Sequence, residues 1–175
     1  MPRVYLYVSR HIEENVPRPE SMPRDHELGG LMKLDPRNPR HPVVWSVPIG
    51  SFSPDGGSLS TPALYKGVVY DAATDGELIA VEQKTGKPLW RMNQGSPTLG
   101  SPVTIDDQLV LGDCKGGLHD YDISNPRVPP RIIWTVHLDG CIESTPAVWH
   151  GMLWVGARGG KFYGIGDPGA DPVKP

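Results

Sequence analysis

Tryptophan recurs at a nearly fixed interval along this 175-residue chain, and the recurrence limits what the chain can fold into. Trp45, Trp90 and Trp134 are 45 and 44 residues apart. Two other residue types keep almost the same spacing: Pro62, Pro102 and Pro146, and Gly30, Gly76, Gly117 and Gly160. Because three independent markers share this spacing, we infer an internal repeat of ~40–45 residues.

Each repeat has the pattern of four short strands joined by tight turns. In the repeat from 60 to 92, the apolar segments are separated by Lys66-Gly67, Asp75-Gly76 and Lys84-Thr85-Gly86-Lys87. The chain also holds 21 Gly and 20 Pro, the two residues least compatible with a helix interior. A four-stranded unit of this length is typical of a β-propeller blade. The sequence therefore predicts an all-β fold, a partial β-propeller of about 3.5 four-stranded blades.

The strand pattern divides the chain into blade-sized units. We predict an incomplete first blade at 1–49 with a loop insertion at 11–27, blades at 60–92 and 100–137, an incomplete last blade at 144–167, and a tail at 168–175. The first unit lacks a candidate first strand, and the last lacks a fourth. Since blades pack only on their neighbours, we favour a fragment of a longer propeller. The alternatives are a homodimer that completes the ring and an open array.

Charge and hydropathy exclude several classes of partner. The formal net charge is −3, which gives no basic field for nucleic acid. No apolar run approaches the ~20 residues of a membrane span. The segment that opens the chain is too short and mixed for a signal peptide, and it is typical of a strand.

The segment from 80 to 90 resembles the tryptophan-docking motif of quinoprotein-like (PQQ-like) β-propeller repeats, Ala-x-Asp-x-x-Thr-Gly-Lys-x-x-Trp. The matching residues are Ala80, Thr85, Gly86, Lys87 and Trp90, and Glu82 replaces the motif's Asp. The other repeats match more weakly, and the resemblance covers about residues 29 to 167. It implies a structural docking role for three tryptophans and for the glycine turns of neighbouring blades. These residues are Trp45, Trp90, Trp134, Gly76, Gly117 and Gly160.

The resemblance implies two kinds of activity. Some members are dehydrogenases that hold pyrroloquinoline quinone (PQQ) and Ca²⁺, and many others are binding scaffolds without a cofactor. The quinone site requires a vicinal cysteine pair, whereas Cys114 and Cys141 are 27 residues apart. We therefore predict a non-catalytic scaffold with no cofactor and a protein partner. The alternatives are a fragment of a PQQ-dependent dehydrogenase and an extracytoplasmic propeller that binds carbohydrate or cell surfaces.

The two cysteines flank adjacent blades. Cys114 ends one second strand, and Cys141 precedes the next first strand. In an up-and-down blade those two ends lie on the same face, so the pair is a disulfide candidate. The alternative is two small buried thiols. A disulfide indicates an oxidising compartment, and we expect a periplasmic or extracellular full-length parent.

Polar residues collect at the same predicted face, near the channel mouth. They are Arg10, Asp113, Glu143, Ser144 and Arg158. Such a set favours either a site for a polar ligand or peptide, or fixed salt bridges that satisfy loop backbone. The six histidines are scattered without metal-ligand spacing, and no Gly-x-Ser-x-Gly elbow is present. The sequence therefore predicts no metal site and no catalytic residue.

Overall fold

The computed structural model describes residues 4–10, 30–50 and 57–166, in which fourteen strands and no helix are found. The strands are β1 (Leu6–Arg10), β2 (Gly30–Leu34), β3 (Val43–Pro48), β4 (Ala63–Tyr65), β5 (Val68–Ala72), β6 (Glu77–Glu82), β7 (Pro88–Asn93), β8 (Val103–Ile105), β9 (Gln108–Gly112), β10 (Gly117–Asp122), β11 (Arg131–His137), β12 (Ala147–Trp149), β13 (Met152–Ala157) and β14 (Lys161–Gly166). The predicted insertion at 11–27 and tail at 168–175 lie outside the described residues.

The strands form four antiparallel sheets, and each sheet follows chain order. The outer two sheets have three strands, β1-β2-β3 and β12-β13-β14. The middle two have four, β4-β5-β6-β7 and β8-β9-β10-β11. Within the described residues, the first sheet lacks a first strand and the last sheet lacks a fourth. The prediction of an all-β, partial propeller is therefore confirmed.

The first and second strands of a blade are joined by two-residue hairpin turns. Lys66, Asp106 and His150 occupy equivalent turn positions, with φ of 46°, 49° and 49°. In two of these turns a left-handed glycine follows, at Gly67 and Gly151. Left-handed geometry in a two-residue turn matches the right-handed twist of the flanking strands. These turns therefore fix the register in which each first strand pairs.

Three apolar clusters lie between successive sheets. The first cluster joins the first two sheets and includes Leu31, Trp45 and Val69. The second joins the middle sheets, and Tyr70 lies in it. The third joins the last two sheets. Because Val69 and Tyr70 are neighbours on β5 and point to opposite faces, both faces of that strand are buried.

The turn between the second and third strands needs a glycine at one repeated position. Gly76, Gly116 and Gly160 have φ of 90°, 85° and 81° there. The sequence series placed Gly117 in this set, and the structure corrects it to Gly116, since Gly117 begins β10. The sequence does not show which of the two adjacent glycines occupies the turn. Only the first, Gly116, adopts the left-handed conformation that other residues avoid.

Candidate functional site

Two tryptophans on outer strands dock onto the following blade. Trp45 Nε1 donates a hydrogen bond to the Gln83 carbonyl oxygen at 3.2 Å. A Cβ added at Gly86 would lie 2.7 Å from the Trp45 ring, so the absent side chain admits the indole. In the next blade Trp90 Nε1 donates to the Pro126 carbonyl oxygen at 3.1 Å. The platform is thus the turn between the third and fourth strands of the next blade.

The glycine turns assigned to docking from the sequence do not contact the indoles. A Cβ at Gly76 would meet the backbone of Ser96, which follows the outer strand of the same blade. A Cβ at Gly117 would meet the His119 ring, and one at Gly160 would meet nothing within 4 Å. Trp134 is half-buried in the third cluster, and the turn that would follow β14 lies outside the described residues.

A serine hydroxyl bridges the first and second strands in two blades. Ser144 Oγ accepts a hydrogen bond from Gly156 N and donates one to Gly156 O, both at 2.9 Å. Ser60 Oγ makes the equivalent pair with the backbone of Ala72. The recurring Ser-Thr-Pro-Ala motif is therefore a structural brace, and Ser144 is not free to bind a ligand.

Asp71 is a fully buried carboxylate between the first two sheets. It accepts hydrogen bonds from Ser9 Oγ at 2.6 Å, from Ser58 Oγ at 3.1 Å and from Ser60 Oγ. Burial raises its pKa to about 6, and the serine hydroxyls oppose that rise. Because Ser9 belongs to β1 and Asp71 to β5, the cluster ties the two blades together.

A second buried acid, Glu77, anchors the same pair of blades. Gly50 N donates to Glu77 Oε2 at 2.7 Å, and Arg91 forms an ion pair with Glu77 Oε1. Arg91 Nη2 also donates to the Pro48 carbonyl oxygen at 2.7 Å. Glu77 and Arg91 were not predicted as site residues, since charged residues in a strand carry no signal of burial.

Asp113, predicted at the channel mouth, is buried and engaged with its own blade. Its Oδ1 accepts from Lys115 N and Gly117 N, at 2.8 and 2.9 Å. Its Oδ2 lies 3.1 Å from His119 Nε2, and His119 Nδ1 lies 2.9 Å from Thr135 Oγ1. This Asp-His-Thr chain has the order of a hydroxyl-activating triad, but its carboxylate also satisfies the loop backbone.

Two predicted site residues form an exposed ion pair. Arg158 Nη2 lies 3.3 Å from Glu143 Oε1, with side chains 71% and 41% exposed. Lys161 and Asp139 form a second exposed pair nearby in sequence, at 3.1 Å. The side chain of Arg10 lies outside the described residues. These exposed pairs give the end of the last blade a surface of mixed charge.

A disulfide joins Cys114 to Cys141. Cys114 follows β9, and Cys141 lies in the connection from the third sheet to the fourth. Ile142 N donates to Asp113 O at 3.0 Å, and Arg158 N donates to Cys141 O at 2.9 Å. The disulfide therefore fixes the entry of the last blade against the preceding one, beside the exposed ion pair.

The cysteine pair and the acidic side chains of the described residues do not fit a quinone and calcium site. The two cysteines are not vicinal, and their disulfide spans a separation of 27 residues. In the described part of the chain, no group of three His, Cys, Asp or Glu side chains is placed to hold a metal ion. The same residues include no helix long and apolar enough to cross a membrane.

The chain is similar to BamB proteins and, over a shorter stretch, to a quinohemoprotein alcohol dehydrogenase. A family model described as outer membrane protein assembly factor BamB matches residues 42–129, half of the chain. BamB of Shewanella oneidensis is 31% identical over 135 residues, which are 77% of this chain and 31% of that protein. Quinohemoprotein alcohol dehydrogenase of Comamonas testosteroni is 41% identical over 56 residues, 29% of this chain and 8% of that one.

The fold agrees with these sequence matches. The crystal structure of BamB from Moraxella catarrhalis superposes with a TM-score of 0.63 at 17% identity, over 83% of this chain and 44% of that chain. The chain spans about a third of the length of the curated BamB relatives it matches. It is a member of the PQQ-like β-propeller repeat family, through the family model that describes BamB.

Proposed function

We propose that this chain is a non-catalytic propeller module that presents loops to a protein partner. The observation that carries the proposal is that the buried polar groups of the chain bind other parts of the same fold. Asp71 and Glu77 bind groups of the preceding blade and hold the two blades together, and Ser144 braces two strands of its own blade. Glu143 and Arg158, whose charged groups stay accessible, lie in connections between strands, as expected of a scaffold that binds through its loops.

The contact surface that we propose is the turn end of the last blade. Glu143 and Arg158 form its centre, and Asp139 and Lys161 extend it. Arg10, which ends β1 in the first sheet, stays a predicted channel-mouth residue and is not part of this surface. Exposed ion pairs contribute little to folding stability, so these side chains are available to exchange partners on binding. The relatives' name, outer membrane protein assembly factor, supports a protein of the cell envelope as the partner.

The disulfide supports a periplasmic or extracellular location for the module. Disulfides persist in oxidising compartments and are rare in the cytosol of most organisms. Cys114 is half-buried and Cys141 is 9% exposed, so the bond lies close to the surface. A compartment that reduces thiols would loosen the loop beneath the proposed contact surface.

A role in quinone-dependent oxidation is the second candidate, favoured by the short match to an alcohol dehydrogenase. It is the weaker candidate, because the ligand set for quinone and Ca²⁺ does not fit. Incubation of the protein with PQQ, Ca²⁺, an alcohol and a reducible dye tests it directly. We expect no dye reduction, and dye reduction above the protein-free control would overturn the scaffold proposal.

Site-specific crosslinking tests the proposed contact surface. A photo-crosslinking residue at position 158 is expected to give a discrete adduct with an envelope protein. The same residue at Lys87, which is exposed on a turn of the second blade, is the matched control. An adduct pattern that is the same at both positions would rule out a specific surface. Charge reversal at Glu143 should weaken the adduct at 158 without changing the unfolding midpoint.

A further inference from the structure

The three interfaces between blades follow one rule of packing. One face of a sheet, here called its forward face, meets the opposite, rear face of the next sheet. Tyr70 and Leu78 lie on the forward face of the second sheet, and Leu109 and Leu111 lie on the rear face of the third. One blade later, the forward residue Leu118 meets Val155 on the rear face of the last sheet. The pairing thus repeats position by position.

The last sheet has a forward face that no described residue covers. Strand pairing places Trp154 at the position of Tyr70, and Phe162 at the position of Leu78. Their rings lie 6.1 Å apart and 11° from parallel, and Trp154 lies over Gly164. Phe162 is 72% exposed and Trp149, on the same face, is 68% exposed. Together they form a flat aromatic surface.

The rear face of the first sheet is likewise covered by no described residue, and it too is apolar. Leu6 and Val8 lie on it at the positions of Leu109 and Leu111. Leu6 is 50% exposed and Val44, on the outer strand, is 47% exposed. This face is aliphatic, whereas the forward face of the last sheet is aromatic and glycine-rich. The two open faces are therefore the same two kinds of surface that meet inside the array.

We propose that the chain binds a second copy of itself head to tail, with Phe162 and Trp154 of each copy packed on Leu6 of the other. Two copies of four sheets give eight blades, the upper end of the typical range of ~4–8 in closed propellers. Each copy contributes both faces, so two contacts close the ring and cover both open faces of the described sheets. The inference concerns assembly and stands independently of the proposed scaffold function.

The mass of the protein in solution tests the ring. Light scattering coupled to gel filtration is expected to give the mass of two chains. Phe162→Asp and Leu6→Asp each place a charge in both contacts of the ring, so each variant should have the mass of one chain. Ile133→Asp, at a residue 47% exposed on β11, is the control and should leave the mass unchanged. Equal circular dichroism spectra establish that all three variants are folded.

A mixture of the Phe162→Asp and Leu6→Asp variants distinguishes a head-to-tail contact from a symmetric one. In an equimolar mixture of Phe162→Asp and Leu6→Asp, one contact combines both charged faces and the other combines both intact faces. A two-chain species should therefore reappear in the mixture. A wild-type mass of one chain, an open series of larger species, or a Leu6→Asp variant that stays dimeric would overturn the proposal. A mixture that remains at the mass of one chain would do the same.

Discussion

The carbonyl oxygen of Gln83 accepts hydrogen bonds from two side chains of the preceding blade. Trp45 Nε1 lies 3.2 Å from it, and Lys33 Nζ lies 3.1 Å away. Both donors are largely buried, so they depend on this acceptor for satisfaction. The tryptophan of one blade is therefore satisfied by the turn of the next, and the two blades gain stability together.

Replacing a docked tryptophan should destabilise the protein strongly. Trp90 is 6% exposed, and Trp90→Ala should lower the free energy of unfolding by about 3–5 kcal/mol through lost burial and a cavity. Trp149→Ala, at a residue 68% exposed, is the control and should change it by less than about 0.5 kcal/mol in the isolated chain. Urea unfolding at a concentration where the protein is monomeric measures both. A loss below about 1 kcal/mol for Trp90→Ala would contradict the docking role.

The glycine beneath a docked indole should be intolerant of substitution. Gly86 and Gly67 have φ of 74° and 76°, so alanine is strained similarly at both. A Cβ at Gly86 would lie 2.7 Å from the Trp45 ring, whereas nothing lies within 4 Å of one at Gly67. Gly67→Ala should therefore cost about 1 kcal/mol, and Gly86→Ala at least about 1 kcal/mol more. Equal losses of unfolding free energy would show that the ring does not press on the turn.

Reduction of the disulfide should destabilise the chain and leave its fold intact. Closing the 27-residue separation contributes about 3–4 kcal/mol in the chain-entropy model. The double variant C114S/C141S should have a lower unfolding midpoint than the oxidised wild type, by the same amount as wild type in reductant. Thiol titration of the denatured, unreduced protein should find no free cysteine. Two titrating thiols would contradict the bridge.

The buried carboxylate of Asp120 should make stability fall as pH rises. Burial raises its pKa from 3.8 to about 6, and the nearby Trp134 indole and Tyr121 backbone oppose that rise only in part. Because the folded state then binds a proton that the unfolded state has released, stability declines between about pH 4 and pH 6. Asp120→Asn should remove this decline, so its advantage over wild type should grow across that window. Urea unfolding of both proteins at pH 4, 5, 6 and 7 measures it; an advantage independent of pH would refute the assignment.

The repeat was predictable because turns and strand faces leave local signals. The Lys66-Gly67 turn was predicted from the sequence, and in the structure Gly67 follows a left-handed Lys66 there. The motif at Thr85, Gly86 and Trp90 indicated the family, and two of these residues, Gly86 and Trp90, make docking contacts. The glycine register was wrong at Gly117, since the sequence does not show which of two adjacent glycines takes a positive φ.

The candidate site was less predictable because its character depends on contacts between distant residues. Asp71 and Ser9 are 62 residues apart, and nothing local indicates that they meet. Ser144 was expected at a channel mouth, but its hydroxyl is occupied by the backbone of Gly156. Glu143 and Arg158 form an ion pair because both flank strand ends that share one side of the blade, and their role at a channel mouth stays a prediction.

Each docking turn follows its tryptophan in the sequence, so the contact can form only after the later blade has been synthesised. As the chain leaves the ribosome, the blade that carries Trp45 appears before the turn at Gln83 and Gly86 that receives the indole. A newly made blade therefore keeps its indole exposed until the next blade has been synthesised. The same holds for Trp90, whose acceptor is the Pro126 carbonyl oxygen of the next blade. Synthesis of each blade completes the one before it, and chaperone demand should follow the most recently emerged tryptophan.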